Sequence, residues 1–177
     1  RLVRDMGVRY VRIQVPWEDI EIHGQEDYID RRNVAAVGVI SAWDKYDRLV
    51  DTADRLGLEL IMRLDRSPAW SRPVLMSTPY YQEGIQLDPS STGPPDAIDN
   101  FTRFVGVVAE RYRGKVRYFQ IWNEPNLKNE WNWQEPKPTD FVEMLRGSYL
   151  AAKQANPNAV IIFPSLAPVD GLDMRAP

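Results

Sequence analysis

Four times along this chain a helix-like stretch ends at Gly or Asn and an apolar run follows at once. The breaks are Gly7 before Val8–Val15, Gly57 before Leu58–Leu64, Gly114 before Lys115–Ile121, and Asn156 before Ala159–Phe163. Gly, and after it Asn, adopts the left-handed backbone just past a helix at least cost, so each break reads as a helix end followed by a strand. The stretches between are amphipathic. Trp43, Tyr46, Leu49, Val50, Ala53 and Leu56 recur at helical spacing behind Ser41 as N-cap. Ile98, Phe101, Val105, Val108 and Tyr112 do so behind Asp96, and Phe141, Leu145, Tyr149 and Ala152 behind Thr139-Asp140. Strands alternating with helices are parallel βα units, so the fold class is α/β. One set of strand positions is Val-, Ile- and Leu-rich, as under covering helices. The other set is polar: Tyr10, Arg12 and Gln14 in the first strand, Tyr118 and Gln120 in the third. An open doubly wound sheet seldom holds Arg in mid-strand, whereas a barrel interior near its mouth does.

At 177 residues and 44% hydrophobic content, the chain has one domain's length and enough apolar surface for a core. Its net charge of −3 argues against a nucleic-acid partner, which needs clustered positive charge. There is no cysteine, which removes disulfides, thiolate catalysis and cysteine-based metal sites. A single histidine, His23 in a polar loop, removes multi-histidine metal sites and is expected at the surface. The longest mostly apolar run, Val34 to Trp43, is about half of what a bilayer span requires. Arg1–Gly7 carries no targeting pattern and Met174–Pro177 reads as loop. Both ends are expected to be cut, and the compartment, secreted or cytoplasmic, stays unassigned.

The strands share a second regularity. Each reaches a proline, at Pro16, Pro68, Pro125 and Pro164, and three have a tryptophan close by, Trp17, Trp70 and Trp122. Proline cannot donate to the ladder and so ends a strand. Long loops follow, Ser67–Pro95 and Asn126–Pro138, and loops of that size in a compact domain are usually functional. In βα architectures the site lies at these C-terminal strand ends.

The third strand runs Phe119-Gln120-Ile121-Trp122-Asn123-Glu124-Pro125-Asn126-Leu127. At average residue usage, Trp-Asn-Glu-Pro arises by chance in about one such chain in a few thousand. The segment resembles the retaining glycoside hydrolases of clan A, (β/α)8 barrels that include the cellulase-like family 5 and the xylosidase-like family 39. Val11-Arg12-Ile13 resembles their second strand, and Ile61–Trp70 their third, closest to family 39. The resemblance implies a partial TIM (β/α)8 barrel in which residues 1–177 supply strands two to five. Strand one and strands six to eight are then absent. It implies Glu124 as general acid/base and Asn123 as the contact to the sugar 2-hydroxyl. The clan's nucleophile, a Glu on strand seven, has no counterpart here.

The same residues can be weighed on their own chemistry. Glycoside hydrolysis needs a proton donor to the leaving oxygen, which a carboxylic acid supplies when burial raises its pKa. Retention needs a second carboxylate about 5–5.5 Å away. The other role open to Glu124 is that of a capping or ion-pairing surface acid. Arg12 either holds a catalytic carboxylate ionised or forms a structural ion pair inside the barrel. Asp65 either lines the site or pairs with Arg66. Trp131 and Trp133 either stack on pyranose faces or fold their loop back onto the barrel. Tyr80 and Tyr81 are weaker candidates of the same kind. Trp17, Trp70 and Asn126 complete the candidate substrate contacts, although Trp17 and Trp70 also suit packing at the mouth. Such hydrolysis needs no cofactor and no metal, and its partner is a carbohydrate. The other class open to the chain is a non-catalytic glycan-binding or structural half-barrel. Either way, four strands leave two open edges and one uncovered inner face, which a second chain or a further segment would complete.

Overall fold

A computed structural model describes residues 2–73, 93–132 and 134–168. In chain order these form helix α1 (Leu2–Asp5), strand β1 (Tyr10–Pro16), strand β2 (Ile29–Asp30), helix α2 (Val34–Val37), strand β3 (Ile40–Ser41), helix α3 (Asp44–Leu56), strand β4 (Glu59–Asp65), helix α4 (Ile98–Arg111), strand β5 (Tyr118–Ile121), helix α5 (Pro138–Ala155) and strand β6 (Val160–Ile162). Four strands make one sheet in the order β1-β4-β5-β6, with every neighbouring pair parallel. This is the sequential parallel order expected from the helix–Gly–strand repeat.

Three of the four helix ends close as the sequence suggests. Gly7, Gly57 and Gly114 have φ of 79°, 65° and 86°. At Gly57 the backbone N–H of Leu58 also reaches back to Ala53 O at 2.9 Å, sealing the last turn of α3. Asn156 differs, because its φ is −138°, extended rather than left-handed. Its buried carboxamide does the work instead. Nδ2 donates to Val116 O at 3.3 Å, and Oδ1 accepts from the Asn158 backbone N–H at 3.2 Å.

Alternate strand residues face the helices. Val15, Leu60, Met62, Leu64, Phe119 and Ile121 are buried there against Tyr46, Val50, Phe101, Phe104, Val108 and Met144. Two residues expected in the helical stripes lie outside them. Leu49 and Tyr149 are exposed. On α5 the buried positions are Phe141, Met144, Ser148 and Ala152, and Tyr149 sits one residue, about 100° of arc, beyond that line. The antiparallel β2–β3 pair was not foreseen, since strands of two residues are too short to show a period. Among the described residues no helix is long and apolar enough to cross a membrane.

Helices α4 and α5 pack through small residues. A β-carbon on Gly106 would meet Ala151 at 3.5 Å, an ordinary contact, whereas one on Gly147 would lie 2.6 Å from Thr102 Cγ2. Helix propensity alone favours Ala over Gly by about 1 kcal/mol. Gly106→Ala is therefore expected to stabilise the protein by about 0.5–1 kcal/mol. Gly147→Ala is expected to be neutral to destabilising by about 1–2 kcal/mol, because the stiff Thr102 must move. Urea midpoints of the two variants check this, and the reverse order would contradict the packing described.

Candidate active site

The inner face of the sheet is built in layers. Gln14, Arg63, Gln120 and Ile162 lie side by side across β1, β4, β5 and β6. Toward the C-terminal ends the polar residues join into one chain of contacts. Gln14 Nε2 donates to Asp65 Oδ1 at 3.0 Å, and Asp65 Oδ2 pairs with Arg63 Nε at 2.7 Å. Arg63 Nη1 donates to Asn123 Oδ1 at 3.0 Å, and Asn123 Nδ2 donates to Glu130 Oε1 at 2.8 Å. Burial pushes the Asp65 carboxyl up from its usual range, against the pull of Arg63 and Gln14. Burial also raises Glu130, the N–H of Asn123 pulls it back, and the negative charges of Asp65 and Glu124 add to the rise.

Two strand ends turn on strained backbone. Arg66 after β4 has φ 58° and Trp122 after β5 has φ 68°, values that cost a non-glycine residue about 1–3 kcal/mol. Each is held from outside. Arg66 O accepts from the Glu18 backbone N–H at 3.0 Å. The Trp122 backbone N–H donates to Leu64 O at 2.8 Å, and Trp122 O accepts from Gln120 Nε2 at 2.8 Å. The indole of Trp122 is buried edge-on to Phe101, with centroids 5.3 Å apart. This turn delivers Asn123 and Glu124 to the strand-end face, both half-buried. Among the described residues no ion pair engages the Glu124 carboxylate.

The other candidates fall as follows. Arg12 is exposed on the inner face, where its Nε donates to Gln120 Oε1 at 2.8 Å. Asp65 pairs with Arg63 and not with Arg66, because successive strand residues point to opposite faces and i, i+2 neighbours share one. Arg66 instead approaches Glu18 at 3.5 Å. Trp131 is buried in the core with Nε1 donating to Pro125 O at 2.6 Å, which is the packing role of the two open to it. Trp17 is fully buried, stacked 5.6 Å from Phe104 and edge-on to Trp70 at 5.4 Å. Trp70 is half-buried and donates to Glu21 O at 2.7 Å. Asn126 clasps the backbone of Ala167 in both directions at 2.9 Å, tying the strand-end segments after β5 and β6 together. His23 is exposed. Trp133, Tyr80 and Tyr81 lie outside the described residues.

Sequence reasoning passed over Arg63, Gln14, Glu130 and Glu21. The first two carry only a positional signal, the shared inner-face register that pairs Gln14 with Arg63. Glu130 had one signal, an acid beside Trp131 in the loop after the motif. Glu21 stands two residues before His23 in a run that reads as a polar loop, yet it is fully buried, accepting from Trp17 Nε1 at 2.7 Å and from Arg103 Nη2 at 2.8 Å. A cleft of about 790 Å³ lies at the opposite ends of the strands, among Gly57, Lys115 and Asn156, away from Glu124.

Solved structures similar to this fold include TIM-barrel glycoside hydrolases. A family 39 glycoside hydrolase from Bacteroides cellulosilyticus WH2 superposes with a TM-score of 0.62 at 18% identity, over 92% of this chain and 27% of its own. A monomeric β-xylosidase from Caulobacter crescentus CB15 gives 0.60 at 19%, over 90% and 30%. Thermotoga maritima Cel5A, solved with mannotriose, gives 0.54 at 13%, over 97% and 46%. The described sheet and its helices are thus part of a TIM barrel. The cellulase family model, glycosyl hydrolase family 5, matches residues 1–167, and the chain belongs to that family. A 6-phospho-beta-glucosidase from Clostridium longisporum is 24% identical over 126 residues, 71% of this chain. The chain spans 22% of that relative's length.

Proposed function

We propose that this chain carries the acid/base half of a glycosidase that cleaves β-glycosides with retention of configuration. Residues 1–177 form strands two to five of its barrel. Glu124 is the general acid/base, Asn123 holds the sugar 2-hydroxyl, and the nucleophile lies on a segment outside this chain. The observation that carries the reading is the turn at Trp122. A left-handed tryptophan, anchored by Leu64 and Gln120, presents an adjacent Asn and Glu at the C-terminal end of a barrel strand. Strain held at such a point is characteristic of functional sites. Family membership supports glycoside hydrolysis, and the position of Glu124 supports its role as proton donor.

In the first step Glu124 protonates the leaving oxygen while the nucleophile attacks the anomeric carbon. In the second, the resulting carboxylate takes a proton from the water that releases the sugar. Asn123 Nδ2 has a second N–H beyond the one given to Glu130, and from it donates to the oxygen of the sugar 2-hydroxyl, orienting that group for the hydrogen bonds that strengthen in the transition state. The open edges of β1 and β6 receive the remaining barrel strands.

The test is hydrolysis of a panel of 4-nitrophenyl β-glycosides by the complete protein. Release of nitrophenol with a β-configured first product, seen by proton NMR, is expected. An α-configured first product would sink the retaining mechanism. No cleavage across the panel, together with binding of an oligosaccharide, would identify a glycan-binding domain instead.

A further inference from the structure

The geometry points to Glu130 as a positioning residue that locks the Asn123 carboxamide in one orientation, a role that rests on the glycosidase reading above. A carboxamide can turn over and exchange its oxygen for its nitrogen, so Asn123 alone could present either a donor or an acceptor to a sugar hydroxyl. The structure removes that freedom from both sides. Arg63 Nη1, which can only donate, meets Oδ1 at 3.0 Å, and the Glu130 carboxylate, which accepts when ionised, meets Nδ2 at 2.8 Å. Both contacts select the same rotamer, and both are charge-assisted, about twice as strong as neutral ones. The second N–H of Nδ2 is then left for the substrate.

Each jaw of this clamp is itself fixed. Arg63 is tied to Asp65 at 2.7 Å, and Asp65 to Gln14 at 3.0 Å, so one jaw is anchored through β4 and β1. Glu130 sits in the short turn Lys128–Trp131, which is fastened back onto the segment it serves. Its carbonyl accepts from Trp122 Nε1 at 3.3 Å, and the neighbouring Trp131 Nε1 donates to Pro125 O at 2.6 Å. The turn therefore moves with residues 122–125. Glu130 is also half-buried, which together with these contacts gives its carboxylate a fixed aim.

The test uses the complete protein and a pair of 4-nitrophenyl β-glycosides of the sugar it cleaves, one bearing the 2-hydroxyl and one 2-deoxy. Glu130→Leu is expected to lower kcat on the hydroxylated substrate roughly 10–100-fold with KM nearly unchanged, and to change the 2-deoxy reaction by under about threefold. Glu130→Gln keeps an oxygen that accepts from Nδ2, so it should regain most of the loss. Equal loss on both substrates, or none on either, overturns the assignment. Should Glu130→Leu fail to fold, Glu130→Ala replaces it, measured with and without Asn123→Ala. The effect of Glu130→Ala is expected to vanish in the Asn123→Ala background, and an undiminished effect there overturns the assignment. A wild type that cleaves no aryl β-glycoside would sink the glycosidase reading and this assignment with it. That result is distinct from an active enzyme indifferent to Glu130.

Discussion

In the complete protein, Glu124→Gln should slow hydrolysis of β-glycosides with poor leaving groups by roughly 10²–10⁴-fold, and cleavage of activated aryl glycosides far less in the first step. The asymmetry follows from what a general acid does. An alkoxide leaving group needs a proton as the C–O bond breaks, whereas a dinitrophenolate does not. Glutamine keeps the shape and polarity of the side chain but can neither donate the acidic proton nor accept one. With an activated substrate, the variant should still form the glycosyl-enzyme, then stall because no base activates water. Azide needs no deprotonation. It attacks the anomeric carbon, displaces the enzyme carboxylate, and should restore turnover with a β-glycosyl azide as product. Rates across a series of leaving-group pKa values, with and without azide, provide the measurement. A flat series without azide rescue, in a protein whose wild type is active, would remove Glu124 from the acid/base role.

The repeat of Gly-terminated helix and apolar strand was enough to place β1, β4, β5 and β6 in order, because cap chemistry and periodicity are local. The acidic end of β5 was legible for the same reason. What stayed hidden depends on contacts distant in sequence. Arg63 reaches Asn123 across 60 positions, and Arg103 reaches Glu21 across 82. No local pattern marks either pair. The left-handed turns at Arg66 and Trp122 were equally invisible, since neither is Gly or Asn. Their conformation is imposed by the backbone and amide bonds that hold them. Asp65 and Arg66, adjacent in sequence, suggested a pair that strand geometry forbids. Asn156 kept its place at the end of a helix but acts there through its side chain, which residue type alone does not reveal.

Arg103→Met should destabilise the protein by about 2–4 kcal/mol, nearly the full effect of leaving a buried charge without its partner. Glu21 has no exposed surface, while the Arg103 side chain keeps 24% of its own. The guanidinium comes from α4 and meets both carboxylate oxygens, and Trp17 Nε1 and the backbone N–H of Glu26 supply further donors. Removing Arg103 leaves those neutral donors but takes away the compensating charge. Adding Glu21→Gln should recover part of the loss, since the amide oxygen still accepts from Trp17 Nε1 and no charge remains to desolvate, while the amide NH2 replaces the oxygen that met the Glu26 N–H and keeps the recovery incomplete. Urea unfolding of the single and double variants reads the difference, and a double variant as unstable as the sum of the two singles would contradict it. The pair also bears on the candidate site. It fixes Trp17 against Phe104 and Trp70, so it sets the aromatic floor on which the ends of β1 and β4 rest. With the charge balanced, the double variant should therefore keep the catalytic constants of the wild type, whereas Arg103→Met alone should lose activity only as it loses fold.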